Sequence, residues 1–188
     1  IKIGEIRPGD DILIIGAGAV GSSLLTLLKH TFPNQIIVID LIDEKLDFAK
    51  KLGADIVLDF RDLNLKEKIM ELTNGVGVNV VYEAVGSQAT YDLAFDLIAY
   101  GGKLMAFGLI ETSLEVPFRK LYTKEIQFRW CQAGGIETKK NKEIILKVMS
   151  KRLIDVDPLI TSKIPMDKLV DGLESIKSGK QIRIVVEI

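Results

Sequence analysis

The sequence has 188 residues, 25 basic against 26 acidic side chains and 47% hydrophobic residues, a profile that excludes disordered and fibrous classes. A formal charge of −1 argues against a broad electrostatic footprint for nucleic acid or an anionic membrane surface, and the longest nearly apolar stretch, Ile12 to Gly21, is half glycine and alanine and far short of the roughly 20 residues a spanning helix needs. With one cysteine, Cys131, one histidine, His30, and no signal-peptide pattern, the expected compartment is a reducing cytoplasm, and a zinc site of three or four Cys/His ligands cannot be assembled from these residues alone.

In chain order, short apolar runs alternate with segments of helical spacing, which is the rhythm of an α/β protein. Ile12 to Ile15 reads as a strand that ends in glycine, followed by Val20, Leu24, Leu27 and Leu28 on one helix face. Ile36 to Ile39 reads as a second strand closed by Asp40. Asp43 is then expected to cap a helix carrying Leu46, Ala49 and Leu52 and stopped at Gly53. Ile56 to Leu58, Val78 to Tyr82 and Lys103 to Phe107 read as the third to fifth strands, with a helix from Ser87 through Ile98 between the last two. Ile126 to Cys131 reads as a sixth strand before a helix from about Lys140 to Met149. The runs are continuous rather than alternating, so the sheet is expected to be parallel and covered on both faces, a doubly wound six-stranded Rossmann architecture. The remainder differs: Leu159 to Ile164, Pro165, a helix holding Leu169, Leu173 and Ile176, and a β-rich end from Gln181 to Glu187. The expected division is a dinucleotide-binding unit over 8–152 and a C-terminal segment over 153–188 whose natural partner lies elsewhere. The chain opens on Ile1, so a missing N-terminal portion is expected.

The chemistry concentrates in Gly16-Ala17-Gly18-Ala19-Val20-Gly21, a GxGxxG placed between a strand and a helix. Gly16 permits the tight turn, Gly18 lets the backbone approach a pyrophosphate and Gly21 permits close helix-to-sheet packing, while the free amides of the helix start face the phosphates. Alone, such glycines often do no more than shape a turn. Here Asp40 closes the second strand nineteen residues after Gly21, where a carboxylate accepts hydrogen bonds from an adenosine ribose. A carboxylate facing a 2′-phosphate would suffer a repulsion of about 4 kcal/mol at roughly 4 Å and an effective dielectric of 20, near a thousandfold in affinity. NAD is therefore favoured over NADP. Lys45 is placed to reach the ribose hydroxyls or, equally, to be a solvated helix lysine.

Catalytic groups are not evident. A short-chain dehydrogenase would carry a tyrosine with a lysine four residues later, but Tyr100 has Lys103 at three, Tyr122 has Lys124 at two, and neither Tyr82 nor Tyr91 has one nearby. His30 falls late in the first helix, far from the carboxyl ends of the strands, and Cys131 has no neighbour that would activate a thiol.

"PGDDILIIGAGAVG" from Pro8, "LGAD" from Leu52, "EAVG" from Glu83, "GGKLMAFG" from Gly101 and "LITSKIPM" from Leu159 together resemble, in order, landmarks of the zinc-containing medium-chain alcohol and polyol dehydrogenases. The resemblance covers almost the whole chain. It implies that the sheet is the coenzyme domain, that the final segment returns to a catalytic domain built from an N-terminal half, and that the zinc ligands come from that missing half. It further implies that Gly16, Gly18, Ala19, Val20 and Gly21 form the pyrophosphate turn and Asp40 with Lys45 the adenosine-ribose pair. Val85 and Gly86 would line the cofactor, and Phe107, Gly108 and Leu109 would hold the nicotinamide. Arg183, in "GKQIRIVVEI", resembles an arginine that reaches the pyrophosphate. Core packing is the alternative for Val85 and Phe107, and a solvated strand position for Arg183.

"FRWCQ", Phe128 to Gln132, resembles a stretch of sorbitol-type polyol dehydrogenases whose arginine and aromatic face the active site; a sixth strand with one aromatic fits as well. The expected activity of the complete enzyme is hydride transfer between NAD and a small secondary alcohol or polyol, with this chain binding cofactor but not turning over. A non-enzymatic NAD-binding regulatory module is the alternative, and it has no use for the "LITSKIPM" landmark. The sixth strand is expected to be an edge that joins two copies through Phe128 and Trp130. No nucleic-acid or membrane partner is expected.

Overall fold

A computed structural model describes residues 4–111, 113–131 and 138–188; Gln132, the end of the "FRWCQ" stretch, lies outside them. The first half runs β1 (Asp11–Ile15), α1 (Ala19–Leu28), β2 (Gln35–Asp40), α2 (Asp43–Leu52), β3 (Ile56–Asp59), α3 (Leu65–Leu72) and β4 (Val78–Glu83). The second half runs α4 (Gln88–Leu97), β5 (Ile98–Ala106), α5 (Phe118–Thr123), β6 (Gln127–Trp130), α6 (Thr138–Ser150), β7 (Ser162–Pro165), α7 (Leu169–Lys177) and β8 (Ile184–Glu187). Strands β1 to β6 form one sheet in the order β3-β2-β1-β4-β5-β6, every pairing parallel. This is the doubly wound Rossmann arrangement expected from the continuous runs. Strands β7 and β8 pair in parallel as a separate two-stranded sheet.

The continuous runs are explained by the two faces. Ile12, Ile14, Ile36, Val38, Val80 and Tyr82 point to a core shared with Leu24, Leu25 and Leu28 of α1 and Ala49 and Leu52 of α2. The intervening Leu13, Ile15, Ile37, Ile39 and Val81 point to the opposite core, with Leu65 and Ile69 of α3 and Tyr91, Ala94 and Phe95 of α4. Each such side chain removed from water contributes roughly 1.5–3 kcal/mol, so neither face tolerates a polar alternation. Leu159, from a short 3-10 turn at Asp157–Leu159, joins the α1/α2 face and ties the C-terminal segment to the sheet.

Several local expectations change. The residue before α2 is Ile42, not Asp43, because the Ile42 amide donates to Asp40 Oδ1 at 3.0 Å and the helix starts one residue earlier than a side-chain cap would require. Asp43 instead pairs with Arg61 at 3.0 Å. Strand β5 begins at Ile98, with an irregularity in its pairing to β4 around Gly101, so the helix before it ends at Leu97. Leu159–Ile164 divides into the 3-10 turn and β7. Helices α3 and α5 fall in segments with no expected element. His30 lies exposed in a 3-10 turn after α1.

Candidate functional site

The order of strands reverses between β1 and β4, where crossovers leave to opposite sides and open a crevice at the strands' carboxyl ends. Gly16, the first residue past β1, has φ +97° and donates its amide to the Ile39 carbonyl at 2.8 Å. Its Cα faces the neighbouring turn so closely that a Cβ would lie 2.7 Å from Val85 Cγ2. A Cβ on Gly21 would overlap the Gly16 carbonyl, so α1 can lie this close to the turn only with glycine there. Around Gly18 there is open space instead.

Gly18 is the residue before α1, and no side chain caps the helix and no acidic residue occupies its first turn. The first intrahelical bond runs from the Ser22 amide to the Gly18 carbonyl at 2.9 Å. The preceding amides of Ala19, Val20 and Gly21 therefore have no acceptor within the helix, and Ala19 and Val20 are exposed. An uncapped helix start with open space in front of it can accept an anion, favoured by the positive end of the helix dipole. Arg183 brings a guanidinium to the same end, donating to Ser23 Oγ at 3.0 Å and to the Ala19 carbonyl at 3.3 Å. A cation beside a helix N-terminus is unfavourable by itself, so an anion there would be neutralised from two sides.

Asp40, the last residue of β2, is 9% exposed. Its Oδ2 accepts the Ala17 amide at 2.7 Å and its Oδ1 the Ile42 amide at 3.0 Å. The carboxylate thus braces the glycine turn from behind, a role that sequence reasoning missed because it joins residues 23 apart. Each oxygen retains a lone pair for a further donor. Lys45 is half-buried on α2, and a Cβ at Gly179 would lie 3.5 Å from its Cε, so the C-terminal segment reaches this corner too.

On the other side of the crevice, Val85 is 51% and Leu109 83% exposed, while Gly86, Phe107 and Gly108 are partly buried. Phe107 packs 6.1 Å, centroid to centroid, from Tyr82, so its ring belongs to the core. The structure therefore brings the residues singled out in the sequence into two walls: Gly16, Gly18, Ala19, Val20, Gly21, Asp40, Lys45 and Arg183 on one, Val85, Gly86, Phe107, Gly108 and Leu109 on the other. Sequence reasoning passed over Glu83, Ser87 and Thr90. Ser87 Oγ accepts the Thr90 amide at 3.3 Å while Thr90 Oγ1 accepts the Ser87 amide at 3.2 Å, a reciprocal cap on α4.

At the edge, β6 is the last strand of the sheet. Trp130 is 56% exposed there. Phe128 is not free for a partner as expected: it turns inward against Tyr91 and Phe95, with centroids 6.3 and 5.8 Å away. Burial pushes the Cys131 thiol pKa up, which disfavours the thiolate.

Residues 19–150 match the zinc-binding dehydrogenase family. Among curated relatives, an alcohol dehydrogenase of Cupriavidus necator is 30% identical over 170 residues, covering 88% of this chain and 45% of that protein. An L-threonine 3-dehydrogenase of Rhizobium etli is 26% identical over 181 residues, covering 95% of this chain and 51% of that protein. Among solved structures, the alcohol dehydrogenase TADH from Thermus sp. ATN1 superposes with a TM-score of 0.91 at 26% identity, covering all of this chain and 53% of its own. The chain thus spans about half the length of the curated relatives it matches. With the reversed strand order, the uncapped glycine turn and a family match over most of its length, the chain belongs to the zinc-binding dehydrogenases.

Proposed function

We propose that this chain is the NAD-binding half of a zinc-dependent dehydrogenase acting on a small secondary alcohol or polyol. The observation that carries the cofactor assignment is the helix start at Gly18, which has open space in front of it, no cap, no nearby carboxylate in its first turn and a guanidinium beside it. A diphosphate supplies the negative charge that such an arrangement lacks. Asp40 then accepts from the adenosine ribose with its remaining lone pairs and repels a 2′-phosphate, which favours NAD over NADP. A bound nicotinamide would supply the hydride acceptor or donor, and the residues at the carboxyl ends of β4 and β5 would hold it. Val85, Gly86 and the Phe107–Leu109 turn form the wall that orients the ring, and residues 153–188 close the diphosphate end through Arg183.

The alcohol's proton must leave when the hydride does, and in the family a zinc ion stabilises the resulting alkoxide. The residues of this chain do not fit that ion. The sequence has one cysteine and one histidine, and among the described residues no three His, Cys, Asp or Glu side chains converge. The metal is therefore assigned to the half of the relatives that this chain does not span, and binding and turnover separate here. A regulatory module is disfavoured because the likeness to the dehydrogenases runs through the C-terminal segment as well as the sheet. We assign the exposed Trp130 edge of β6 to pairing with a second copy, with Phe128 supporting it from inside. No described helix is long and apolar enough to cross a membrane.

The test is paired. NADH fluorescence is expected to report binding to the 188-residue chain, while a panel of alcohols and polyols with NAD and added zinc is expected to give no NADH. Turnover abolished by Gly18→Val would show that a complete catalytic site lies within these residues.

A further inference from the structure

Glu83 ends β4, is fully buried, and is used by none of the steps above. Its backbone carbonyl accepts the Phe107 amide at 2.7 Å and the Gly108 amide at 3.0 Å, holding the turn after β5. Its Oε1 accepts the Val85 amide at 2.9 Å, the Gly86 amide at 2.8 Å and the Thr90 hydroxyl at 2.9 Å, holding the turn after β4 and the start of α4. One residue therefore grips both turns, through its main chain on one side and its side chain on the other. The turns it joins leave no room for slack, because a Cβ on Gly86 would overlap Leu109 backbone and a Cβ on Gly108 would overlap the Gly86 amide.

Fold stability alone is a poor reason for an acid here. Oε2 makes no close hydrogen bond and is closed in behind Gly108, where burying a poorly paired polar atom is unfavourable. The Tyr91 hydroxyl, which reaches the Gly108 carbonyl only at 3.4 Å, is the donor nearest to that oxygen: burial first, then the charge of Glu83 and a weak side-chain hydrogen bond with it, push the Tyr91 pKa up. What the carboxyl group adds is geometry: three donors from residues two, three and seven positions ahead converge on a single oxygen. The turns this fixes carry the exposed side chains Val85, which lies against Gly16 of the glycine turn, and Leu109.

We propose that Glu83 is a positioning residue that locks the Val85–Gly86 turn against the Phe107–Leu109 turn and so sets the wall against which the nicotinamide lies. This rests on the cofactor reading above, and the adenosine half of that site, on Gly18 and Asp40, is independent of it. The experiment titrates ADP-ribose and NADH against the 188-residue chain, its Glu83→Ala and Glu83→Gln variants, and Thr90→Val, which removes one donor and covers the case in which Glu83→Ala does not fold. Wild type is expected to bind NADH more tightly than ADP-ribose and to enhance NADH fluorescence. Glu83→Ala should lose roughly tenfold in NADH affinity, equivalent to about one hydrogen bond, with ADP-ribose affinity little changed. Glu83→Gln, which keeps the accepting oxygen, should restore most of the difference, and Thr90→Val should lie between.

Equal losses for both ligands would reduce Glu83 to a general stabiliser, and an unchanged NADH advantage in Glu83→Ala or, failing that, Thr90→Val would overturn the proposal. Equal wild-type affinity for the two ligands would refute it while leaving the adenosine site intact. Binding of neither would refute the cofactor reading itself.

Discussion

The turn from β1 into α1 and the turn from β4 into α4 lie side by side, with Val85 of one against Gly16 of the other, yet they treat their free backbone donors in opposite ways. At α4, Ser87 and Thr90 cap each other's amides, and Glu83 takes two more with its carboxyl oxygen. At α1 there is no side-chain cap, and the one carboxylate that approaches, Asp40, takes the Ala17 amide from behind the turn. A helix end that leaves its donors unsatisfied loses about 1 kcal/mol that a serine or aspartate cap would supply. The difference teaches that the first turn leaves its donors open, which under the proposed function serve a ligand, whereas the second is finished within the protein.

The sharpest way to break this comparison is at the glycines of the open turn. Gly21→Ala drives a methyl group into the Gly16 carbonyl and is expected to destabilise the fold by about 3 kcal/mol, since neither helix nor turn can yield without repacking. Gly18→Ala meets open space and, with φ −68° and ψ −164°, a conformation that alanine adopts freely. Its urea midpoint should match wild type while its NADH affinity falls. Equal unfolding midpoints for the two variants would show that the turn is not packed as described.

At the closed turn the expectation is reversed. Ser87→Ala should cost about 1 kcal/mol in urea unfolding and leave ADP-ribose affinity unchanged. A loss of ADP-ribose binding larger than the loss of stability would mean that the two turns are not separable.

The smallest effect concerns the last turn of α4, where Asp96 sits between Lys66 and Lys120. Burial raises the pKa of its carboxyl, but the hydrogen bonds from Lys120 and Lys66 outweigh it and the net pKa is lowered. A lowered carboxylate pKa contributes stability above the unfolded value near 3.9 and loses it as pH falls through the folded value. Asp96→Asn should therefore flatten the acid limb of the stability profile, with only a slight change at neutral pH, because the pairs with Lys66 and Lys120 are partly exposed and screened by solvent. An unaltered acid limb would remove Asp96 from the account.

How much of this could be read in the sequence follows from the range over which each feature is encoded. The sheet was legible because Ile12–Ile15 and Ile36–Ile39 are unbroken apolar runs, and Val78–Tyr82 one interrupted only by Asn79, that suit strands covered on both faces. The glycine turn was legible because its spacing is local. Helix α3 was not, since its eight residues place only Leu65 and Ile69 in the core, and α5 offers six residues with none fully buried. Phe128 looked like an edge aromatic because a strand pattern cannot reveal that α4 supplies Tyr91 and Phe95 beneath it. The grip of Asp40 on Ala17 was hidden for the same reason. Glu83 was in view within "EAVG", and the threonine seven residues on was the one signal that its side chain has a partner on the following helix.

The central claim is that the open turn and Asp40 together form an NAD site, and calorimetric titration of NADH and NADPH against wild type and Asp40→Asn tests it most directly. Asparagine keeps an oxygen for one of the two backbone amides, loses the acceptor for the other and removes the charge, so NADH affinity of the variant serves as the control for a disturbed turn. The account predicts that wild type binds NADH and rejects NADPH by up to about a thousandfold, the equivalent of roughly 4 kcal/mol of repulsion, and that Asp40→Asn removes most of this difference by gaining NADPH affinity. Equal or tighter binding of NADPH by wild type would contradict it.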